Sequence, residues 1–408
     1  MGRRELGIFG VILTLSTGLP ARAAISYADI DRHALAVPAS SATSVAKLAE
    51  ALARPARSDE EKARAIFRWM CAHITYDQEA YDSGRHGDTS PEAVLRRRES
   101  VCAGYAGLFQ ALATAAGLRA VSIAGHGKGV GYRLGAPVAD TNHDWNAVWI
   151  AGRWQLLDVT WGAGAFSGGR WQRRFTEHYF LTPPEEFIFD HFPTDPKWQL
   201  LDPPLSSERY RGLAYLRPAF FEHGLAVSGH RALRLAARDS ADLTFTGPQD
   251  VQLTARLSSE GGGALEDNWT LCQRSGSVHH VLVRWPRAAH YRLTIFAKGI
   301  REDGPLWEAA DYVIEASAGA SSGFPLTYST FGERGVLLRS PLGATLRAGR
   351  PQTFSLIVPD AKEVSVVSGQ KWYPLARSGD DFSGAITPSR GPVQVVADSW
   401  VLARWDAR

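Results

Sequence analysis

The chain has 408 residues, which predicts two or three domains because a single hydrophobic core rarely grows to that size. Its 45% hydrophobic and 21% charged residues are typical of a globular protein and exclude a disordered or fibrous one. The 45 basic and 42 acidic residues leave a net charge of +3, which gives no electrostatic case for binding nucleic acid.

The first 23 residues have the pattern of an export signal. Arg3 and Arg4 form a short basic start, residues 7–19 are mostly apolar, and residues 21–23 (Ala-Arg-Ala) offer a small-x-small cleavage site. This apolar stretch is too short for a comfortable membrane span, and no other segment approaches about 18 consecutive apolar residues. We therefore expect a secreted or periplasmic protein with no integral membrane segment in the mature chain. A buried N-terminal helix is the alternative.

Several helices are predicted in the first half of the chain. They cover residues 42–54, 59–74 and 90–94, and a longer one runs from Cys102 to a glycine at 117. The second follows Ser58 and begins with three acidic residues, which suits the positive end of a helix dipole. In the last helix, Tyr105, Leu108 and Leu112 lie on one apolar face, so we expect this helix to pack in the core.

Strands follow these helices along the chain. They are predicted over residues 119–124, 144–150 and 154–160, with a tight turn between the last two. Proline-containing loops are predicted around residues 183–205. Helices that lead into an antiparallel sheet indicate an α+β domain, which we place at residues 24–211.

From about residue 212 onward the chain is predicted to be all-β. Short, turn-separated apolar or alternating segments recur at 233–237, 243–246, 251–257, 280–285, 291–297, 336–339, 353–358, 363–368 and 393–397. This spacing is typical of β-sandwiches. A break rich in Ser, Gly and Ala at residues 317–323 divides the region into two predicted β-sandwich domains, 212–318 and 319–408.

The chain has three cysteines, an odd number that leaves at least one thiol unpaired within the chain. Cys71 lies in an apolar helical run and Cys272 in a strand-like run, so both resemble small buried hydrophobic residues. Cys102 begins a predicted helix, where backbone N–H groups and the helix dipole favour the thiolate, the form that attacks carbonyl carbons. Small neighbours, Ala103 and Gly104, leave room for a substrate. A cysteine that only caps a buried helix is the alternative.

Two more residues complete a candidate catalytic group. His143 begins one predicted strand and Asp158 ends the next, so a single hairpin carries both. In register, the carboxylate can hold one imidazole nitrogen while the other nitrogen faces the thiol. A nucleophile, a base and an acid that orients the base are the parts of a thiol hydrolase.

These motifs together resemble a known family. They are residues 101–106 (Val-Cys-Ala-Gly-Tyr-Ala), 142–146 (Asn-His-Asp-Trp-Asn) and 154–161, with further segments at 62–69, 74–77, 178–183, 191–193 and 198–201. The chain resembles the transglutaminase-like (papain-fold) superfamily, in particular its kyphoscoliosis-peptidase-like branch. The resemblance implies an α+β papain-like/transglutaminase-like core, with helices packed on an antiparallel sheet, followed by β-sandwich domains.

The resemblance also implies roles for single residues. Cys102 would be the nucleophile, His143 the general base and acid, and Asp158 the residue that orients His143. Trp145 and Trp161 flank the triad and are expected to wall the site and exclude water rather than to react.

The oxyanion hole is less defined by the motifs. One donor is expected to be the backbone N–H of Cys102 at the helix start. The second would be an upstream side chain, Tyr76 or alternatively Trp69. For Tyr76, a packed aromatic ring with a satisfied hydroxyl is an equally open interpretation.

No metal or cofactor is expected. His178 and residues 279–280 (His-His) lack ligand spacing, and the sequence has no Cys-x-x-Cys pair. The glycine-rich residues 125–129 lack the strand–loop–helix context of a phosphate-binding loop. We expect a protein or peptide substrate, with a cell-envelope component as a candidate partner, and no nucleic acid.

Two functions remain in competition at this point. The first is an exported cysteine-dependent acyl-transfer enzyme, a peptidase/amidase or a transglutaminase-like cross-linker, that uses a Cys-His-Asp triad and an acyl-enzyme. The second is a catalytically silent binding or scaffold protein that uses its β-sandwich domains for protein or cell-envelope interaction. The presence of all three triad members favours the enzyme, because a scaffold does not need them.

Overall fold

Three hydrophobic cores follow one another along the chain in the computed structural model, which describes residues 27–138, 141–263, 265 and 268–408. The predicted export signal at residues 1–23 lies outside the described residues. Within those ranges, no helix is both long enough and apolar enough to cross a membrane. An α+β unit comes first, and two all-β units follow it.

The α+β unit contains two long helices, of 15 and 14 residues, and several shorter ones. Its helices are α1 (Ala28–Ala36), α2 (Val45–Ala53), α3 (Asp59–His73), α4 (Gln78–Ser83), α5 (Pro91–Arg97), α6 (Cys102–Ala115), α7 (Val159–Ala163) and α8 (Pro184–Phe187). Its strands are β1 (Thr75–Tyr76), β2 (Glu99–Ser100), β3 (Ala120–Gly127), β4 (His143–Ile150), β5 (Arg153–Leu157), β6 (Gly164–Ser167), β7 (Arg170–Arg173) and β8 (His191–Pro193). Short 3-10 turns lie at Ala39–Ser41, Glu177–Tyr179 and Pro196–Gln199.

Local sequence explains where the main helices begin. The Ser58 hydroxyl accepts a hydrogen bond from the Glu61 N–H at 3.1 Å, which caps α3 as predicted. Helix α6 packs against α2, α3, α5 and the sheet strands β3 and β4. Its Leu108, Phe109 and Leu112 side chains are fully buried, so the helix that starts at the candidate nucleophile is anchored along its length.

The sheet behind α6 is antiparallel in the order β5-β4-β3-β8. Two predictions about this region were wrong. The strand predicted over 154–160 ends at Leu157, because Asp158 starts the short helix α7. The region around 183–205, predicted to be loops, contains β8, which pairs with β3. A strand of three residues is too short for an alternating pattern to reveal it.

The second core belongs to a β-sandwich. It contains α9 (Ser207–Arg211), β9 (Tyr215–Leu216), α10 (Pro218–Glu222), β10 (Ala226–Val227), β11 (Arg234–Ala237), β12 (Ser240–Thr246), β13 (Val251–Ser259), β14 (Thr270–Ser275), β15 (Val278–Arg284), β16 (Ala289–Gly299) and β17 (Trp307–Ala316). One sheet has the order β10-β12-β15-β14 and the other β11-β17-β16-β13, with β9 on the edge of β17. Ile188 and Phe189, which precede β8, pack in this second core and join it to the α+β unit.

The third core lies between two further sheets. The elements are β18 (Leu326–Thr327), α11 (Ser329–Glu333), β19 (Leu337–Ser340), β20 (Thr345–Leu346), β21 (Gln352–Ile357), β22 (Val364–Ser368), β23 (Lys371–Pro374), β24 (Ala376–Ser378), β25 (Asp381–Ile386), β26 (Gly391–Ala397) and β27 (Trp400–Ala407). The sheets have the orders β18-β27-β26-β22-β23, with β20 also on β27, and β19-β21-β25-β24. Alternating buried residues in β22 and β26 explain why this region was predicted to be a sandwich.

Candidate active site

Cys102 is the first residue of α6 and is half-buried. Val101 before it provides no side-chain cap within the described residues, so the helix N-terminus is left for a ligand or the thiolate. Two residues on, Gly104 is tightly enclosed, since a Cβ there would lie 2.0 Å from the Ser100 hydroxyl oxygen. The glycine therefore lets the first turn of α6 approach β2 closely.

Asn146 ties this helix to the strand that carries His143. Its amide nitrogen donates to the Ala106 carbonyl of α6 at 3.0 Å and to the Val121 carbonyl of β3 at 3.1 Å. Asn146 is fully buried and lies on β4, three residues from His143. The hydrogen bonds thus position the cysteine helix relative to the histidine strand.

His143 and Asp158 form a buried pair. His143 Nε2 lies 2.7 Å from Asp158 Oδ2. The other carboxylate oxygen accepts from the backbone N–H groups of Thr160 at 2.7 Å and Trp161 at 3.1 Å, so Asp158 also caps α7. The structure brings the two predicted residues together, although Asp158 lies in a helix cap and not in a strand.

The strand register explains how they meet. The β4–β5 ladder ends with Asn146 opposite Leu157, so Asp158 is level with Trp145 and not with His143. Asp158 therefore reaches His143 diagonally, two residues along the facing strand, which is within reach of side chains this long.

Charge and burial shift the pKa values of His143 and Asp158 in opposite directions. Burial by itself would lower the pKa of His143, but the charge and hydrogen bond of Asp158, together with the nearby Cys102, raise it to about 10. Burial would raise the pKa of Asp158, but His143 and the hydrogen bond from His191 hold it well below its ordinary value. The pair is therefore an imidazolium and a carboxylate at neutral pH, and Nε2 is occupied, which leaves Nδ1 for the thiol.

A carboxylate also lies next to the thiol itself. Cys102 Sγ is 3.9 Å from Asp144 Oδ2. Burial raises the pKa of the half-buried Asp144, while the charge of His143 and the hydrogen bond from Cys102 oppose that rise. Asp144 was not predicted as a site residue, because the motif at residues 142–146 was interpreted only through its neighbour His143.

Sequence reasoning also missed a buried network behind Asp158. His191 Nε2 lies 3.1 Å from Asp158 Oδ2, and its Nδ1 lies 2.6 Å from Asp190 Oδ1. The Tyr179 hydroxyl donates to the other Asp190 oxygen at 2.9 Å. All four side chains are buried. The His-Phe-Pro motif at 191–193 was the sequence signal that could have revealed His191. It was used only for the family resemblance and was not assigned a role in the site.

The imidazoles of His143 and His191 and the carboxylate of Asp158 lie at distances that a metal ion could bridge. One donor atom each from His143, Asp158 and His191 lies within 4.8 Å of the others. Both imidazole nitrogens point at the same carboxylate oxygen at 2.7 and 3.1 Å, where each fits as a hydrogen-bond donor. A metal would need lone pairs on those nitrogens and space between the atoms, so the residues fit a hydrogen-bond network better than a metal ion.

The two predicted wall residues occupy different places. The Trp161 ring stacks on His143, with 4.6 Å between ring centroids and an angle of 19°. A Cβ at Gly127 or Gly129 would lie 3.0–3.1 Å from the same indole, so glycines let the β3 end and its following loop pass over it. Trp145 is fully buried beneath the site, with its ring 4.9 Å from that of His191, and it supports the network from behind.

The two candidate oxyanion donors are also separated. Tyr76 lines the cavity next to His143, and burial, followed by the charge of Cys102, raises the pKa of its hydroxyl. Trp69 is buried in the core, where it stacks on His73 at 4.8 Å and lies under the Arg98 guanidinium at 4.6 Å. Trp69 is not among the described residues that line the cavity, so Tyr76 is the better placed of the two.

A cleft opens in front of His143. Its volume is about 490 Å³. The α+β unit lines it with residues that include Tyr76, Tyr81, Lys128, Asn142, Thr160, Trp161, Phe166, Trp171 and Arg174. The second unit lines it with Tyr215, Arg217, Pro218, Ala219, Leu306, Trp307 and Glu308. The cavity that His143 lines therefore lies between the first two units of the chain, although Cys102 is not among the described residues that line it.

The other two cysteines differ from Cys102. All three cysteines lie in the described residues and are free thiols. Cys71 is buried, and its Sγ lies 3.7 Å from the Val159 carbonyl oxygen, while burial raises the pKa of its thiol. Burial raises the pKa of the Cys272 thiol to about 12. Neither is poised as a nucleophile, since the thiolate is the reactive form.

The comparisons with known proteins agree with this architecture. Residues 46–159 match the transglutaminase-like superfamily, and residues 207–326 match a KY-like, immunoglobulin-like domain. The predicted resemblance to the transglutaminase-like superfamily is confirmed over residues 46–159, and the predicted fold class, a transglutaminase-like core followed by β-sandwich domains, is also confirmed. We call the unit that contains β9 to β17 the immunoglobulin-like domain from here on.

Similar curated proteins indicate which branch of the superfamily the chain resembles. The chain is 34% identical over 263 residues to Kyphoscoliosis peptidase of Mus musculus, which covers 63% of this chain and 38% of that protein. It is 37% identical over 256 residues to Kyphoscoliosis peptidase of Homo sapiens, covering 62% and 38%, and 32% identical over 245 residues to Hillarin of Drosophila melanogaster, covering 56% and 30%. The predicted resemblance to the kyphoscoliosis-peptidase-like branch is therefore confirmed. It spans little more than a third of the length of these peptidases.

Proposed function

We propose that this chain is an exported cysteine-dependent acyl-transfer enzyme that acts on amide carbonyls of a protein or peptide. The observation that carries the proposal is the buried His143–Asp158 pair, 2.7 Å apart, beside a half-buried cysteine at a helix start. The names of two similar proteins support a peptidase. Export rests on the sequence pattern of residues 1–23.

The chemistry follows the roles of the three side chains. The Cys102 thiolate attacks the amide carbon while His143, as the imidazolium, stands ready to protonate the leaving nitrogen. The C–N bond breaks as that proton is transferred from Nδ1, which leaves a thioester on Cys102 and a neutral imidazole. His143 then takes a proton from water or from an amine as that nucleophile attacks the thioester, and the C–S bond breaks, which releases the acyl group and restores the thiolate and the imidazolium. Asp158 holds the imidazole in one orientation throughout.

The oxyanion of each tetrahedral intermediate needs donors. The backbone N–H of Cys102 at the start of α6 is the first. We assign the Tyr76 hydroxyl as the second, because it lines the cleft and the charge of Cys102 affects its pKa. Tyr76→Phe keeps the packing and removes the donor, so it tests this assignment by a loss of turnover without a loss of stability.

We favour hydrolysis over amine transfer. Water makes the enzyme a peptidase or amidase, and an amine makes it a cross-linker. Incubating the mature protein with a peptide library, with and without an added primary amine, separates the two by product mass. A product heavier by the amine, in place of the free acid, would reverse this preference.

Thiol labelling tests whether the triad is active. The mature protein is treated with iodoacetamide at about pH 6, where an ordinary thiol is almost wholly protonated. Fast labelling of Cys102 alone, lost in His143→Ala, is the expected result. Cys71 and Cys272 serve as internal controls in the same chain. Equal and slow labelling of all thiols in both proteins would remove the case for an enzyme.

A silent scaffold is the competing proposal, and one observation favours it. The Asp144 carboxylate, 3.9 Å from Cys102 Sγ, disfavours a thiolate at that position when it is ionised. Under this alternative, Cys102 of the wild type is labelled as slowly as an unactivated thiol, and Asp144→Asn would increase the labelling rate. Under the enzyme proposal, wild-type labelling is already fast.

A further inference from the structure

We infer that the immunoglobulin-like domain forms one wall of the substrate cleft and selects polypeptides with a bulky apolar side chain near the reacting amide. The inference rests on the proposed function, and it assigns a specificity role to residues far from the triad in sequence. The three triad residues themselves all lie in the α+β unit.

The two faces of the cleft have similar chemistry. On the α+β side, Trp161, Phe166 and Trp171 contribute aromatic rings to the cavity that His143 also lines, and the Trp161 ring stacks on His143. On the opposite side, Leu306 and Trp307 lie at the start of β17 and Pro218 begins α10. A pocket with apolar rings on both faces favours an apolar side chain, since burying it removes apolar surface of both partners from water.

Exposed large apolar side chains lie on both sides of the cleft. Tyr81 on the α+β side is 40% exposed, and Leu306 on the immunoglobulin-like side is also 40% exposed. Both line the same cavity as His143. An apolar rim continuous with the catalytic group is expected to be covered by the substrate and not by an unrelated partner.

Contacts across the cleft hold the second wall in place. The Arg174 guanidinium, which follows β7, lies 4.3 Å above the Trp307 ring. Such a cation–π contact fixes the indole relative to the α+β unit. In addition, the Tyr215 hydroxyl donates to the Lys128 carbonyl at 2.7 Å, so both sides of the cleft are joined at a second point.

The charges at the wall are largely matched, which argues against a charged specificity pocket. Arg217 Nη2 lies 3.1 Å from Glu308 and 2.7 Å from Asp311. Lys128 is buried and turned to the Tyr210 ring, with Nζ 4.4 Å from its centroid. Arg174 is the cation at the rim and is stacked on Trp307. The groups of the cleft wall that remain to recognise a substrate side chain are therefore apolar.

Two electrophiles separate this inference from the proposed function. Iodoacetamide reports the thiol alone, whereas a peptidyl chloromethyl ketone must also occupy the cleft. In the wild type, we expect the Cys102 labelling rate with a Phe-containing chloromethyl ketone to exceed that with a Gly-containing one by about tenfold or more. In Trp307→Ala the ratio of the two chloromethyl ketone rates should fall toward one, and the iodoacetamide rate of the same variant, measured in parallel, corrects for any change in the reactivity of the thiol itself.

Matched variants control for folding. Trp372→Ala removes a 59% exposed tryptophan from the third unit and should retain the Phe preference. Leu306→Ser changes an exposed residue at the cleft rim, carries little risk to folding and should reduce the preference. A Phe preference unchanged in both Trp307→Ala and Leu306→Ser overturns the inference and leaves the enzyme intact. No labelling of wild-type Cys102 by either reagent at pH 6 overturns the proposed function and the inference with it.

Discussion

His191 Nε2 and His143 Nε2 both point to a single carboxylate oxygen, Asp158 Oδ2, at 3.1 and 2.7 Å. The second nitrogen of His191 faces Asp190 Oδ1 at 2.6 Å. His191 thus orients the carboxylate that orients His143.

This relationship predicts different results for two substitutions of His191. His191→Phe keeps the stacking on Phe187, where the rings are 3.9 Å apart, but removes the hydrogen bond to Asp158. We expect it to lower kcat by about 10- to 100-fold with little change in KM, because the side chain is buried away from the cleft. His191→Gln retains a donor and should recover part of the loss. Equal losses in both variants would mean that His191 acts through packing alone.

Asp158→Asn should separate the orientation of His143 from its charge. The amide can still accept and cap α7, but it removes the charge that raises the pKa of His143 to about 10. The pKa should fall, and the reaction should lose its thiolate–imidazolium pair at neutral pH. We expect kcat to drop by roughly 10³- to 10⁴-fold. Steady-state kinetics and circular dichroism of the variant check the loss and the retained fold.

The raised pKa of His143 also predicts a pH dependence of stability. The folded-state pKa, about 10, lies above the ordinary value of 6.5, so folding tightens proton binding. This stabilisation is complete below about pH 6.5 and is lost as the pH rises through about 10. The difference in unfolding free energy between wild type and His143→Gln should therefore shrink from pH 6 to pH 10, measured by urea titration. His290→Gln, at a half-exposed position, is the control.

The contribution of Lys128 to the unfolding free energy should change with pH in the opposite direction. Burial lowers the pKa of its ammonium group from 10.5 to about 7, and the charge of Asp190 only partly opposes this. Between these values the unfolded state holds a proton that the folded state lacks, so the contribution of Lys128 to stability rises with pH. Lys128→Met should gain stability relative to wild type at pH 6 and gain less at pH 10. Lys197→Met, at a 66% exposed side chain, should show no such trend.

Arg64 is the buried cation that joins the N-terminal helix to the rest of the α+β unit. Its guanidinium contacts Asp31 of α1 at 2.7 and 2.8 Å and Glu177 at 2.8 Å. Arg64→Met removes this cation, although Asp31 keeps a contact with Arg68 at 3.8 Å and Glu177 is 53% exposed. We therefore expect a loss of about 2 kcal/mol of unfolding free energy, less than for a fully buried ion pair. The exposed Arg32–Asp29 pair, also at 2.7 Å, is the matched control, and Arg32→Met should change little. Chemical denaturation of both variants makes the comparison.

Much of the α+β unit was predictable because its signals are local. A capping serine marked α3, an apolar stripe marked α6, and a strand-like run followed by a tight turn marked β4, so the helix and the strand that carry Cys102 and His143 were both found. Asp158 was found as a residue but misplaced, since a single side chain that caps a five-residue helix leaves little periodic pattern.

The sequence by itself determined the class of protein, the three candidate catalytic residues and the β-rich character of the second half. These depend on residue order and on periods of two or 3.6 residues, which neighbouring positions already contain. Only the tertiary structure decided that His191 and Asp190 stand behind Asp158, that Asp144 lies near the thiol, and that Trp307 faces His143 across a cleft. Those contacts join segments 32 to 164 residues apart, and only the packing of β8 on β3 and of one domain on another determines which side chains meet.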